Sequence, residues 1–367
     1  MSTPLLSFAL RGLRRSGPPI HLTLFVTGAC NLRCRHCFHW REVEAGLSGP
    51  SPEDVERLAA SCGELGPLLW VSLTGGEPFL RRDLPRLARS FGSRGLRHLA
   101  VPTNGLVAGT AEVAARMADE NPETFVSVSV SFDGPPQVHD GIRQVPGGHA
   151  KSMEAVRELK AVASERENLG VGIITCVTSE NQEVLAEHMV ELVEELGPDH
   201  LTVNLARNEA LDRSLLAVDL QRYRDVCEAK ARLEREGRLP GYGFALSRLM
   251  RARDRRMGIH LGRVAESKPG ARIKGHLPCT AGSLSAVIFE NGDVHPCEIL
   301  GESMGNLGDT NWDLEPLWNS ERARDLRTQI AKTRCRCTWE CAQGDNILFS
   351  PRAWPGLMAE ALLPGST

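Results

Sequence analysis

The sequence contains no run of about 18 or more uncharged apolar residues, the length a membrane-spanning helix needs. It has no excess of charge: a formal net charge of -3 on 367 residues gives no bulk attraction to nucleic acid or anionic lipid. The opening stretch, MSTPLLSFALRGLRRSGPP, lacks the order of charge, apolar run and cleavage site that marks a secretion signal. Internal repeats and low-complexity tracts are also missing. These absences set aside a transmembrane segment, nucleic acid as a partner and repeat architectures, and a cytoplasmic location is expected.

What the chain does have is cysteine. Eleven cysteines, an odd number in a large chain without an export signal, argue against a disulfide framework. Eight of them sit in two tight groups, so metal ligation is the better reading. Cys62, Cys176 and Cys227 stand alone in predicted helices and a strand and read as buried apolar residues. Hydrophobic residues make up 41%, enough for a core, and the length suits one α/β barrel-sized unit plus a smaller module.

From residue 21 to about 205, short β-branched runs alternate with amphipathic helical stretches. Strands are expected at 21–27, 68–74, 96–102, 124–131, 171–178 and 200–206. Helices are expected near 52–65, 82–94, 110–120, 149–167 and 181–196, with a charged one at 217–236. Such alternation predicts a parallel sheet, and six units predict a partial (β/α)6 TIM barrel whose active face is the C-terminal ends of its strands. The expected division is a tail at 1–20, the barrel at 21–236, a Gly/Arg/Pro-rich bridge at 237–278, a cysteine-bearing module at 279–345 and a second tail at 346–367. Leu6, Ala9, Leu10 and Leu13 share one helical face in the first tail, near Arg11, Arg14 and Arg15. That face suits a short membrane-surface or partner-binding helix, and the alternative is a loose tail or one packed on the body. Within 286–299, Asn291-Gly292 between apolar runs predicts a hairpin.

Cys30, Cys34 and Cys37 form C-x3-C-x2-C directly after the first strand. Three thiolates hold three irons of a cubane and leave the fourth iron open, which suits chemistry, whereas a structural site is closed by a fourth ligand. Zinc ribbons pair two C-x2-C knuckles, and no second knuckle lies near. Gly75-Gly76-Glu77-Pro78 follows the second strand, Thr103-Asn104-Gly105 ends the third, and Ser131-Phe132-Asp133-Gly134 ends the fourth, before His139-Asp140-Gly141-Ile142-Arg143. In this order the motifs resemble the radical S-adenosylmethionine (SAM) superfamily, in the branch of anaerobic sulfatase-maturing and peptide-modifying enzymes. The resemblance implies a 4Fe–4S cluster on the three cysteines, whose open iron is chelated by SAM. SAM is cleaved to a 5′-deoxyadenosyl radical that abstracts hydrogen from a substrate. It further implies that Gly75, Gly76, Glu77 and Pro78 receive SAM's amino group, Glu77 supplying a negative partner and the glycines exposing backbone acceptors. Ser131 and Arg143 would reach its carboxylate, with Asp133 in the same motif. His36 stands where relatives place an aromatic residue against the adenine. Asn104 ends the third strand as is common in the superfamily, and Asn204 on the sixth is a candidate for the ribose or adenine.

Cys279, then Gly292 and Cys297, follow a C-x12-G-x4-C pattern, and Cys335, Cys337 and Cys341 follow as C-x-C-x3-C. This resembles the auxiliary-cluster domains called SPASM and twitch. A full SPASM domain has seven cysteines and two clusters, so five imply one auxiliary 4Fe–4S cluster of the twitch-like kind. Cys279, Cys297 and Cys341 fit as ligands, with Cys335 or Cys337 as the fourth; a structural zinc is the alternative. The implied activity is hydrogen abstraction from an unidentified substrate, the auxiliary cluster accepting the electron and a flavodoxin or ferredoxin serving as reductant. About twenty residues precede the first strand, which tilts the expectation toward a small-molecule or lipid-like substrate, or a peptide delivered by a separate protein. A peptide- or protein-modifying maturase is the alternative activity, and a non-catalytic iron–sulfur carrier or scaffold is the alternative of another class.

Overall fold

The barrel strands alternate a branched apolar residue with a small or hydroxylic one, and this alternation sets the architecture. A computed structural model describes residues 4–14, 17–207, 209–241, 249–257, 277–335 and 337–361. Strands β1 (His21–Thr27), β2 (Trp70–Gly75), β3 (His98–Thr103), β4 (Phe125–Ser131), β5 (Leu169–Val177) and β6 (His200–Leu205) lie side by side in sequence order, all parallel. Successive side chains of a strand point to opposite faces. In β4, therefore, Val126, Val128 and Val130 join the buried core with the helices, while Ser127, Ser129 and Ser131 line a cavity on the other face. Ser72 and Thr74 of β2, Ala100 and Pro102 of β3, and Thr202 and Asn204 of β6 line the same cavity. Bulky branched residues fill the interior of a closed barrel; small ones leave this partial barrel hollow. Gly172 completes the space, because a Cβ there would lie 2.2 Å from Nε2 of His200, which sits 3.0 Å from the Ser129 hydroxyl.

The helices of this unit are α1 (Pro4–Arg14), α2 (Trp40–Ala45), α3 (Pro52–Leu65), α4 (Leu84–Gly92), α5 (Thr110–Asp119), α6 (Pro136–Arg143), α7 (Gly148–Ala163), α8 (Leu185–Leu196) and α9 (Leu220–Arg235). Local chemistry fixes the α3 start: the Ser51 hydroxyl accepts from the Asp54 amide, the Asp54 carboxylate accepts from the Ser51 amide, and Pro52 opens the first turn. In helix α1, Phe8 is buried with Ile20, Leu284 and Phe349 and Arg11 donates to the Pro67 carbonyl, while Leu10 and Leu13 of the expected apolar face are exposed. The side chains of Leu6 and Ala9 and residue Arg15 lie outside the described residues.

The sheet continues past β1. Strand β7 (Ser285–Ile288) runs parallel to it, with His21 opposite Ser285 and Leu24 opposite Ile288, and β8 (Asp293–His295) and β9 (Gly305–Asn306) add antiparallel. The expected hairpin is thus β7–β8, turned at Asn291-Gly292 with Gly292 at φ +88°. The cysteine-bearing segment is built onto the barrel edge, where it shares one nine-stranded sheet with the six barrel strands.

Further helices follow: 249–257 (α10), α11 (Leu314–Trp318), α12 (Glu321–Lys332), α13 (Glu340–Leu348) and α14 (Trp354–Ala361). Helix α13 spans the barrel's open side. Near its start, Glu340 accepts a hydrogen bond from the Leu205 amide at the end of β6; further on, Asp345 lies 3.0 Å from His21 at the start of β1. Residues 346–361, expected as tail, are largely helical, and Leu357 packs with Ala252 and Leu277. In the expected bridge, 249–257 is helical, while 242–248 and 258–276 lie outside the described residues. Among the described residues, no helix is long and apolar enough to cross a membrane.

Candidate functional site

The loop after β1 carries Cys30, Cys34 and Cys37, and neighbouring loops fix it at several points. The Arg35 amide donates to the Ile142 carbonyl at 2.8 Å, the Leu211 amide to the Cys37 carbonyl at 3.1 Å, and the Asp212 amide to the Arg35 carbonyl at 2.8 Å. The Arg35 guanidinium pairs with Glu180 and Asp212 at 2.6 and 2.7 Å. None of the eleven cysteines is in a disulfide. Burial pushes the Cys34 thiol up to about 12 and raises Cys30 and Cys37, so binding a metal here must release protons.

The Gly75-Gly76-Glu77-Pro78 loop lies directly on the cysteine loop. The Gly76 amide donates to the Thr27 carbonyl at 2.7 Å and the Glu77 amide to the Ala29 carbonyl at 2.8 Å. A Cβ on Gly76 would come 2.2 Å from the Ala29 oxygen, and one on Gly75, at φ +138°, 2.2 Å from the Thr27 oxygen. The two glycines permit this backbone-to-backbone approach. Glu77 is buried, and its carboxylate accepts from the Phe79 amide, the Thr103 hydroxyl and the Asn104 amide at 3.1, 2.9 and 2.8 Å. Burial pushes this carboxyl up to about 7 against those hydrogen bonds. Glu77 therefore ties the end of β2 to the end of β3, and a carboxylate's remaining lone pairs leave it capacity for a cation. Asn104 extends the tie by donating to the Asn31 side chain at 2.7 Å.

Arg143, the last residue of α6, donates from Nε to Asp133 at 2.8 Å. Burial would push the Asp133 carboxyl up, but Arg143, with His36, His139 and the Cys176 amide, holds it at about 2. His36 Nε2 lies 3.7 Å from the same carboxylate, and burial lowers its pKa, keeping the ring neutral.

His36, Gly75, Gly76, Glu77, Pro78, Asn104, Ser131, Arg143 and Asn204 line one cavity of about 380 Å³ with the three cysteines. Asp133 stands behind Arg143, fully buried, and does not line it. Cys279, Cys297, Cys337 and Cys341 gather around a buried core of Phe25, Val287 and Trp339, and of these Cys341 also reaches the cavity wall.

Sequence reasoning missed part of the wall. Cys176, read as a buried apolar residue, lines the cavity, and its amide donates to Asp133 at 2.9 Å; the inward alternation through Ile174 carried that signal. Arg207, just past β6, pairs with Glu340 at 2.6 Å and Glu298 at 3.1 Å, and all three line the cavity beside Cys341. Cys62 does lie in the apolar core, and Cys227 is only partly buried, lining a smaller cavity of about 120 Å³.

The donor set fits iron–sulfur chemistry: thiols outside any disulfide in two groups, one on the loop at the cavity. Among the described residues, no three His, Cys, Asp or Glu side chains converge on a single ion. A cluster asks something else of its ligands, one thiolate for each of several irons.

Residues 24–192 match the model of the radical SAM superfamily, and residues 279–342 match that of an iron–sulfur cluster-binding domain. An AdoMet-dependent heme synthase of Oleidesulfovibrio alaskensis is 28% identical over 87% of this chain and 79% of its own length. A pre-heme d1 synthase of Dinoroseobacter shibae is 29% identical over 85% of the chain and 76% of its own length. In fold, the chain is similar to the sulfatase-maturing enzyme anSMEcpe with bound AdoMet and a peptide, with a TM-score of 0.60 at 18% identity, covering 94% of this chain and 99% of that one. It is also similar to Streptococcus suis SuiB bound to its precursor peptide, with a TM-score of 0.62 at 16% identity, covering 85% and 67%. The cysteine loop on a partial barrel and both family matches lead to one conclusion: the chain belongs to the radical SAM superfamily and is an enzyme of its branch with a C-terminal iron–sulfur domain.

Proposed function

We propose that this enzyme cleaves SAM at the cysteine loop and removes a hydrogen atom from a small molecule held in the hollow of the barrel. One observation carries the reading: the cysteine loop, the Glu77 and Arg143 loops and the hydroxyl-lined strand interiors all face a single cavity of about 380 Å³. That volume is in the range of small-molecule sites. When bound, the reduced cluster and SAM supply the means to break an unactivated C–H bond.

The chain's own residues divide the rest of the work. Cys30, Cys34 and Cys37 would hold the cluster at the mouth of the site where SAM binds. Glu77 and the Gly75–Pro78 loop receive SAM's ammonium, Arg143 and Ser131 its carboxylate, and His36 and Asn204 its adenosine, with Asn104 fixing the floor through Asn31. Asp133 is a positioning residue that holds Arg143. Beyond them, Ser72, Ser127, Ser129 and Thr202 offer hydroxyls to a polar substrate. The C-terminal cysteines would hold an auxiliary cluster, which would supply an electron acceptor. The relatives similar over most of their length are named as heme and pre-heme d1 synthases, which supports a small-molecule substrate over a peptide.

Deuterium transfer tests this. Cells of the source organism grown in deuterated medium are lysed and separated into small-molecule and macromolecular fractions, and each is given to the reduced protein with SAM. The small-molecule fraction should put deuterium into 5′-deoxyadenosine. Transfer from the macromolecular fraction alone would favour the peptide-modifying reading, for which the peptide-bound neighbours of like fold give the precedent.

A further inference from the structure

Trp339 is 1% exposed and caps the start of α13, between Cys337 and Cys341 in the chain. It packs in an apolar group with Phe25, Ala281, Val287, Cys297 and Ala342, against which Cys279, Cys337 and Cys341 also pack. The backbone fixes its place. The Gln343 amide donates to the Trp339 carbonyl at 3.1 Å, and the Gln343 side chain donates to the Cys337 carbonyl at 2.9 Å. One polar atom in this apolar surrounding stands out: the indole Nε1 of Trp339 is buried and donates to no acceptor among the described residues. Other indoles of the chain do donate. Trp318, equally enclosed, gives its N–H to the Gly17 carbonyl at 2.7 Å, Trp354 to the Leu348 carbonyl at 2.9 Å and Trp70 to the Ser72 hydroxyl at 3.1 Å. A buried donor left unmet costs its full desolvation, and buried donors are nearly always paired. Trp339 lines neither the reaction cavity nor the smaller one, so solvent does not reach this nitrogen. What its group offers in place of oxygen acceptors is the sulfur of four cysteines.

We propose that the Trp339 N–H donates a hydrogen bond to a sulfur of the auxiliary cluster and raises that cluster's reduction potential. This inference rests on the two-cluster reading above and does not depend on which cysteines supply the ligands. A cluster gains negative charge on reduction, and a donor at its sulfurs stabilises that charge. Trp339 touches no substrate and acts through the cluster, making it a better acceptor for an electron from the reaction cavity. Cys341, in the first turn of the helix that Trp339 caps, reaches the wall of that cavity.

The test is a redox titration followed by electron paramagnetic resonance, in the full chain with Cys30, Cys34 and Cys37 replaced by Ala, so that the auxiliary cluster alone is read. Trp339→Phe keeps an aromatic ring and removes the donor. It should keep about four irons and move the reduction equilibrium roughly tenfold against reduction, about 59 mV to lower potential for one electron. The sign separates the lost donor from packing damage, because water let in around the cluster would stabilise the added charge and move the potential up. A second measurement needs no variant. With isotopically labelled indole nitrogen, pulsed resonance of the reduced chain should show a nitrogen coupled to the cluster. An unchanged or raised potential in an iron-loaded Trp339→Phe chain, or a labelled chain without that coupling, would overturn the proposal alone. A chain lacking Cys30, Cys34 and Cys37 that binds no iron would overturn the two-cluster reading and this inference with it.

Discussion

Replacing Cys30, Cys34 and Cys37 together with Ala should abolish formation of 5′-deoxyadenosine and remove about four of about eight irons. The expected effect is complete, because no other described cysteine or carboxylate stands ready on that loop to replace a ligand. Collapse of the fold is not expected to confuse the result. The loop is held by contacts that do not involve its sulfurs: the Arg35 amide to Ile142, the Leu211 amide to Cys37's carbonyl, and Arg35 to Asp212 and Glu180. Burial keeps the thiols protonated in the metal-free chain, so losing them removes no charge pairing from the wall. The variant should therefore fold, keep the auxiliary signal and be inert toward SAM. A triple variant that still cleaves SAM, or retains all its iron, would contradict the assignment.

Arg143→Ala should weaken SAM binding by roughly 10- to 100-fold, the loss of a charged hydrogen bond, with iron content unchanged. The same substitution should destabilise the chain by about 3–5 kcal/mol, as removal of one partner from a buried pair does. Asp133 has no exposure at all, and without Arg143 it keeps the Cys176 amide and the rings of His36 and His139, both of whose pKa values are lowered by burial, and no full cation. Two measurements separate the effects: thermal unfolding reads the orphaned carboxylate, and equilibrium dialysis with SAM reads the lost contact. The double variant Arg143→Ala/Asp133→Ala should recover part of the stability and none of the affinity. Unchanged SAM affinity in Arg143→Ala would remove Arg143 from the site.

The barrel strands were legible because their periodicity is strong: VSVSVS in β4 assigns valines to one face and serines to the other without any knowledge of the fold. The cysteine loop and the motifs after β2, β3 and β4 were legible as spacing, and the structure brings them to one cavity because the strands are parallel and in order. Helix α6 was not read as a helix, since eight residues opening on proline and containing Gly141 give little periodic signal. The packing demand at Gly76 was not legible, because sequence records a glycine and not the Ala29 carbonyl pressed against it. Least legible was the Arg207 wall: its partners lie 91 and 133 residues away, so no local pattern announces it. A charge beside a strand end and two glutamates beside cluster cysteines were the available clues.

The most direct test of the account is to incubate the reduced, anaerobically reconstituted protein with SAM and quantify nucleoside and amino-acid products. The account predicts 5′-deoxyadenosine and methionine in equal amounts, formed only with reductant and dependent on Cys30, Cys34 and Cys37. A fully iron-loaded, reduced protein that leaves SAM intact would contradict it.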